Sequence, residues 1–129
     1  MSPEDKIKSA ILKRAMADGN LSEVEVTDEN IDDLYAELEE AELHWDYQSE
    51  MRSGEVETGL PSEWSRHYES KSVAAQTADG SWVGWTYWYG GGKHGEPEAI
   101  DWMESAYDLD CKEEEKLVVV RTFTKREAA

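Results

Sequence analysis

Three histidines, a single cysteine and thirty carboxylates are the groups available for chemistry in this 129-residue chain, and their spacing assembles little of it. His44, His67 and His94 form no H-x-x-x-H pair, and Cys111 has no second cysteine beside it. A zinc site would have to gather its ligands from remote segments. Acidic pairs are so abundant that Asp108 and Asp110, or the run Glu113 to Glu115, are poor evidence for calcium or magnesium, and the first two lack the glycine and the ordered oxygen spacing of a calcium loop. Cys111 before Lys112 reads as a packing residue, since a thiol becomes reactive only in an electropositive, accessible setting. His67, flanked by Arg66 and Tyr68, reads as a strand-start residue and not as a general base. The sequence therefore assigns no catalytic residue, no metal and no cofactor, and predicts a protein that is not an enzyme.

One segment has the form of a ligand cradle. Tyr87-Trp88-Tyr89-Gly90-Gly91-Gly92-Lys93-His94-Gly95-Glu96 places a glycine-rich turn between an aromatic strand and a helix start. Exposed backbone N–H groups and a helix dipole at such a junction favour an anion. Trp85, Trp88, Lys93 and His94 are the ligand-binding candidates of this reading, a small-ligand-binding domain centred on Gly90 to Gly95. The match to phosphate loops is poor, being neither G-x-G-x-x-G nor G-x-x-x-x-G-K-[ST]. Glu96 would also compete with a bound anion. A structural turn is the simpler expectation.

The strongest signal is electrostatic. Glu23 to Glu42 holds ten carboxylates in twenty residues and no lysine or arginine. Like charges one helical turn apart repel by a few tenths of a kcal/mol, so solubility alone would favour mixed signs. The apolar residues of this stretch keep helical spacing, which directs Asp28, Asp32, Asp33, Glu37, Glu39 and Glu40 outward. Asp28, Asp32, Asp33, Glu37 and Glu40 are the candidate protein-binding residues. A helix of about fifteen residues runs roughly 22 Å, and carboxylates one turn apart approach the spacing of phosphates along DNA. The leading expectation is a non-enzymatic, regulatory or inhibitory protein-binding domain that meets a basic protein or a nucleic-acid-binding protein through this helix, anchored by exposed aromatics on or near the Trp82 to Tyr89 strand. A nucleic-acid mimic is its narrower form.

The whole chain agrees with that class. Thirty acids oppose thirteen bases for a net charge of −17, with 17 acids and five bases in residues 1–62. Such a surface repels nucleic acid and anionic membranes and attracts basic proteins. Six tryptophans and six tyrosines describe a folded chain and not an acidic tail. Lys8, Lys13 and Arg14 interrupt the opening apolar residues, no run is long enough to span a membrane, and the lone cysteine suits a reducing compartment. The expected location is the cytoplasm.

The elements that would position these residues fit one α+β domain over residues 1–129, of ordinary size for a single core. Ser2, Pro3 and Asp5 open a first helix in which Ile7, Ala10, Ile11, Ala15 and Met16 recur up to Gly19. Leu21 to Val26 connects it to a second helix, capped by Thr27 with Asn30 at N3, with a stripe of Ile31, Leu34, Tyr35, Leu38 and Ala41. Leu43, Trp45 and Tyr47 alternate with polar residues as in a strand. Glu50 to Pro61 reads as a long loop. A strand from about His67 to Gln76 and a central one from Ser81 to Tyr89 flank an Asp79-Gly80 turn. Trp82, Thr86 and Trp88 share one face around Gly84, while Val83, Trp85, Tyr87 and Tyr89 share the other. The face left bare by helices allows a ligand groove or a homodimer. Glu96 and Pro97 open a third helix with Ala99, Trp102, Met103, Ala106 and Tyr107, and Leu117 to Phe123 forms the last strand. The prediction is two N-terminal helices and a four-stranded mixed sheet, with a third helix before a strand that crosses over in parallel.

Overall fold

A computed structural model describes residues 1–126 and has the predicted α+β class. Helix α1 (Pro3–Ala17) starts where Ser2 Oγ accepts the Asp5 N–H at 3.1 Å, with proline in the first turn. It ends where Gly19 takes the left-handed conformation and Asn20 N–H reaches back to Ala15 at 2.9 Å. Helix α2 (Ile31–Glu40) follows a turn closed by reciprocal bonds, Thr27 N–H to Asn30 Oδ1 at 2.7 Å and Asn30 N–H to Thr27 Oγ1 at 3.3 Å. The expected Thr27–Asn30 pairing is present, although the regular helix begins only at Ile31.

The segment expected as the first strand is instead helix α3 (His44–Met51). His44, Tyr47 and Met51 are its buried residues, at i, i+3 and i+7, and Trp45 points to solvent. Five alternating residues satisfy both periods, and packing against α1 and α2 decides between them. The expected loop 50–61 accordingly contains the end of α3 and a two-residue strand, β1 (Val56–Glu57).

Strands β2 (Glu69–Gln76) and β3 (Trp82–Tyr89) form an antiparallel hairpin in full register, from Glu69 opposite Tyr89 to Gln76 opposite Trp82. Strand β4 (Tyr107–Leu109) pairs antiparallel with Trp82 to Gly84, giving the order β1-β2-β3-β4. The sheet is four-stranded, as expected, but wholly antiparallel and not mixed. The parallel crossover is absent because two expected elements differ. Pro97–Ala99 is a single 3₁₀ turn and Ile100 is already extended, so the third helix is α3, ahead of the sheet, and not a helix between β3 and the last strand. Trp102 and Met103 are buried although the chain around them is irregular. Leu117 to Phe123 forms no strand. Its apolar residues are exposed, since Tyr107–Leu109 already fills the sheet edge beside β3.

The core lies between the three helices and one face of β2 and β3. Ile7, Ile11 and Leu12 of α1 and Ile31 and Leu38 of α2 meet Val73, Val83 and Trp85 there. The opposite face is not bare. Ser72, Ala74, Thr86 and Trp88 are buried on it, and Ser72 Oγ and Ser70 Oγ donate to the carbonyls of Pro61 and Glu63 in the covering segment. Gly84 is where β4 closes over β3. A Cβ there would lie 2.7 Å from both Leu109 Cδ1 and Tyr107 Cε2.

Candidate functional site

The register of α2 separates two faces. Ile31, Tyr35 and Leu38 are buried and Leu34 half-buried, so Asp32, Asp33, Glu37, Glu39 and Glu40 stand in solvent. Asp28 is exposed in the preceding turn, 3.7 Å from the Met1 ammonium. Among the described residues, no lysine or arginine lies within ion-pair distance of Asp32, Asp33, Glu37, Glu39 or Glu40. Their charge is therefore directed outward and not consumed internally. The ridge is ten residues, about 15 Å by the standard rise, and shorter than the sequence suggested. Ala41, expected in the buried stripe, is exposed at its end.

The turn from α2 into α3 brings an aromatic group to that ridge. Glu42 adopts φ +58°, and Leu43 N–H reaches back to Leu38 O at 3.2 Å, a left-handed helix cap. Gln48 of α3 then donates to the Tyr35 hydroxyl at 2.6 Å, which ties α3 against α2. Burial pushes the Tyr35 phenol above its ordinary pKa, with the Gln48 bond opposing. Trp45, 60% exposed, and Glu39 both line a groove of about 360 Å³. Glu4 of α1, Glu98 and Asp101 on the β3–β4 connection, and His44 complete its functional lining.

The second candidate cluster is dispersed. Trp85 is fully buried in the helix-side core, where its Nε1–H donates to Arg52 O at 2.8 Å and its ring lies 5.0 Å from that of Trp102. Trp88 is buried on the opposite face of the sheet. Lys93 and His94 are exposed on a 3₁₀ turn, Gly92–His94. The glycine loop is packed against Tyr68. A Cβ on Gly91 would sit 2.5 Å from Tyr68 Cε1, and the Tyr68 hydroxyl accepts the Glu96 N–H at 3.3 Å. Gly91 has φ +88°, and a Cβ on Gly95 would lie 2.8 Å from the Gly91 backbone. These close approaches explain the glycines as turn and packing residues. Tyr87 and Tyr89 stack with ring centroids 5.5 Å apart, and Lys71 lies over both rings.

The strongly exposed tryptophans are Trp45 and, at 84%, Trp64, neither of them on the aromatic strand. The α2 ridge was legible from the spacing of its carboxylates. The groove was not, because its members come from four separate segments. Cys111 is exposed, so its expected packing role is not realised. Among the described residues, no helix is long and apolar enough to cross a membrane, and no group of three or more His, Cys, Asp or Glu is gathered as metal ligands would be. No protein-family model, curated protein or solved structure matches the chain.

Proposed function

We propose that this chain is a non-enzymatic protein-binding domain whose acidic ridge on α2 steers a basic partner, either a basic protein or the nucleic-acid-binding face of one. The observation that carries the reading is the set of exposed carboxylates Asp32, Asp33, Glu37, Glu39 and Glu40, which have no cationic partner among the described residues and adjoin an exposed indole, Trp45. Charge raises the rate of encounter, and an aromatic anchor slows dissociation. The ridge supplies the first and Trp45 the second. Asp28 extends the ridge by one turn. The anchor differs from the one the sequence suggested, since Trp85 and Trp88 are withdrawn from solvent.

Reversing Asp32, Asp33, Glu37 and Glu40 to lysine leaves the apolar stripe of α2 intact. The expected result is at least about a tenfold slower association with a basic partner recovered by pull-down, measured by stopped flow at low salt, with a weaker salt dependence. An unchanged association rate would reject the ridge as the steering surface. Thermal melting of the same variant checks that the fold is kept.

A further inference from the structure

His44, which lines the groove at the end of α2, carries an unmet polar atom. His44 is only 9% exposed, and its Nδ1 is buried without any hydrogen-bond partner. Leaving a buried polar group unpaired costs about 1–3 kcal/mol, a penalty that a complementary ligand removes. Glu4, Glu39, Glu98 and Asp101 surround the same groove. The one basic residue among its lining, Lys8, lies 3.7 Å from Glu4 and 5.2 Å from the centroid of the Tyr35 ring. The lining thus combines a surplus of acceptors with the exposed indole of Trp45, beside the largely buried rings of Tyr35 and Trp102. With its ring proton on Nε2, His44 adds another acceptor at Nδ1.

We propose that this groove receives the guanidinium of an arginine side chain presented by the basic partner, an inference that rests on the protein-binding reading above. Arginine offers five donors and no acceptor, which suits a site of carboxylates and an unpaired imidazole nitrogen. Its planar, weakly hydrated group stacks on aromatic rings and bonds carboxylates in pairs, whereas a lysine ammonium is a compact, strongly hydrated point charge. The ridge and the groove then divide the work. Asp32, Asp33, Glu37 and Glu40 attract the partner, and Glu39, Asp101, His44 and Trp45 fix one of its arginines.

The test titrates the full chain with an acetylated, amidated glycine-arginine-glycine peptide while following the Trp45 indole N–H resonance. Peptides carrying lysine or the neutral isostere citrulline run in parallel. The proposal expects a saturable shift with arginine alone, weakened by about tenfold or more in Glu39→Gln/Asp101→Asn. Glu23→Gln/Glu25→Gln, which removes the same charge elsewhere, keeps the shift. His44→Leu should weaken binding yet leave the free protein at least as stable as before, because Nδ1 has no partner to lose and its unmet polarity is removed. No saturable shift with arginine, an equal response to lysine or citrulline, or retained affinity in Glu39→Gln/Asp101→Asn would each overturn the proposal. A marked fall in melting temperature for His44→Leu would also overturn it, since His44 would then be structural. Failure here with a slowed association after ridge reversal removes the arginine site alone. The reverse result removes the steering role of the ridge.

Discussion

Glu42 and Asp79 show how individual residues of this chain are used against or with their intrinsic preferences. Glu42 is the only non-glycine residue at positive φ among those described, at +58°, and it caps α2 so that α3 can turn back upon it. The left-handed conformation costs an ordinary residue about 1–2 kcal/mol, and glycine is the usual occupant of that position. Glu42→Gly should therefore raise stability by about 1 kcal/mol in urea denaturation, without altering the groove, which Glu42 does not line. Asp79 works in the other direction. The Thr77 hydroxyl, the Ser81 hydroxyl and the Ser81 N–H all donate to its carboxylate, at 2.6, 2.7 and 3.0 Å, in the β2–β3 turn. Those bonds, with the Thr77 contribution largest, hold its pKa well below the ordinary 3.8. Because the folded value is the lower one, the turn's contribution is complete above the ordinary value and is lost as the pH falls below it. Melting temperatures measured between pH 5 and pH 2 should show a downward slope from this residue, and Asp79→Asn should flatten it. An unchanged slope in that variant would exclude the turn as a source of acid sensitivity.

Among the elements, the glycine loop between β3 and β4 separates a structural from a ligand-binding role most directly. Gly91 must hold φ +88° while Tyr68 and Gly95 press against it, whereas Lys93 and His94 are exposed. Gly91→Val should destabilise the fold by about 1–3 kcal/mol, while Lys93→Ala and His94→Ala stay within about 0.5 kcal/mol of the parent. The three variants can be compared by chemical denaturation. A ligand whose thermal stabilisation disappears in Lys93→Ala or His94→Ala would restore the cradle reading. The elements set by local chemistry were legible in the sequence: the Ser2 cap and Pro3 of α1, the Ile31–Tyr35–Leu38 stripe of α2, and the Asp79-Gly80 turn with its paired strands. Those decided by distant packing were not. Leu43, Trp45 and Tyr47 alternate as a strand would, yet burial of His44, Tyr47 and Met51 against two other helices makes the segment α3. Trp102 and Met103 carry helical spacing with Ala99 and Ala106 but enter the core from an irregular connection, where Trp102 meets Trp85. The acidic ridge was visible because one helix contains it. Its neighbour, the His44 groove, exists only through tertiary contact.

At the scale of the whole molecule, charge and apolar surface are distributed in opposition. Residues 1–111 carry 26 acids and eight bases, whereas 112–126 carry five bases and three acids. The second segment also exposes Leu117, Val118, Val119, Val120 and Phe123, a window rich in β-branched residues with no packing partner. Such a window favours pairing with another chain. Mutual repulsion between two copies of so acidic a body opposes that pairing, over a range of roughly 30 Å at 0.01 M salt but only about 3 Å at 1 M. Self-association should therefore be absent at low salt and emerge as salt is raised, the reverse of what an attraction between the acidic body and the basic segment would give. Replacing Val118, Val119 and Val120 with serine should abolish the salt-induced association and change unfolding free energy by no more than about 0.5 kcal/mol, since these residues bury nothing. Sedimentation velocity across a salt series distinguishes the outcomes. Association that weakens with salt would identify electrostatic contact as the cause, and association that persists in the serine variant would place it elsewhere, with the groove at Trp82 between Val56, Leu60 and Leu109 the next surface to alter.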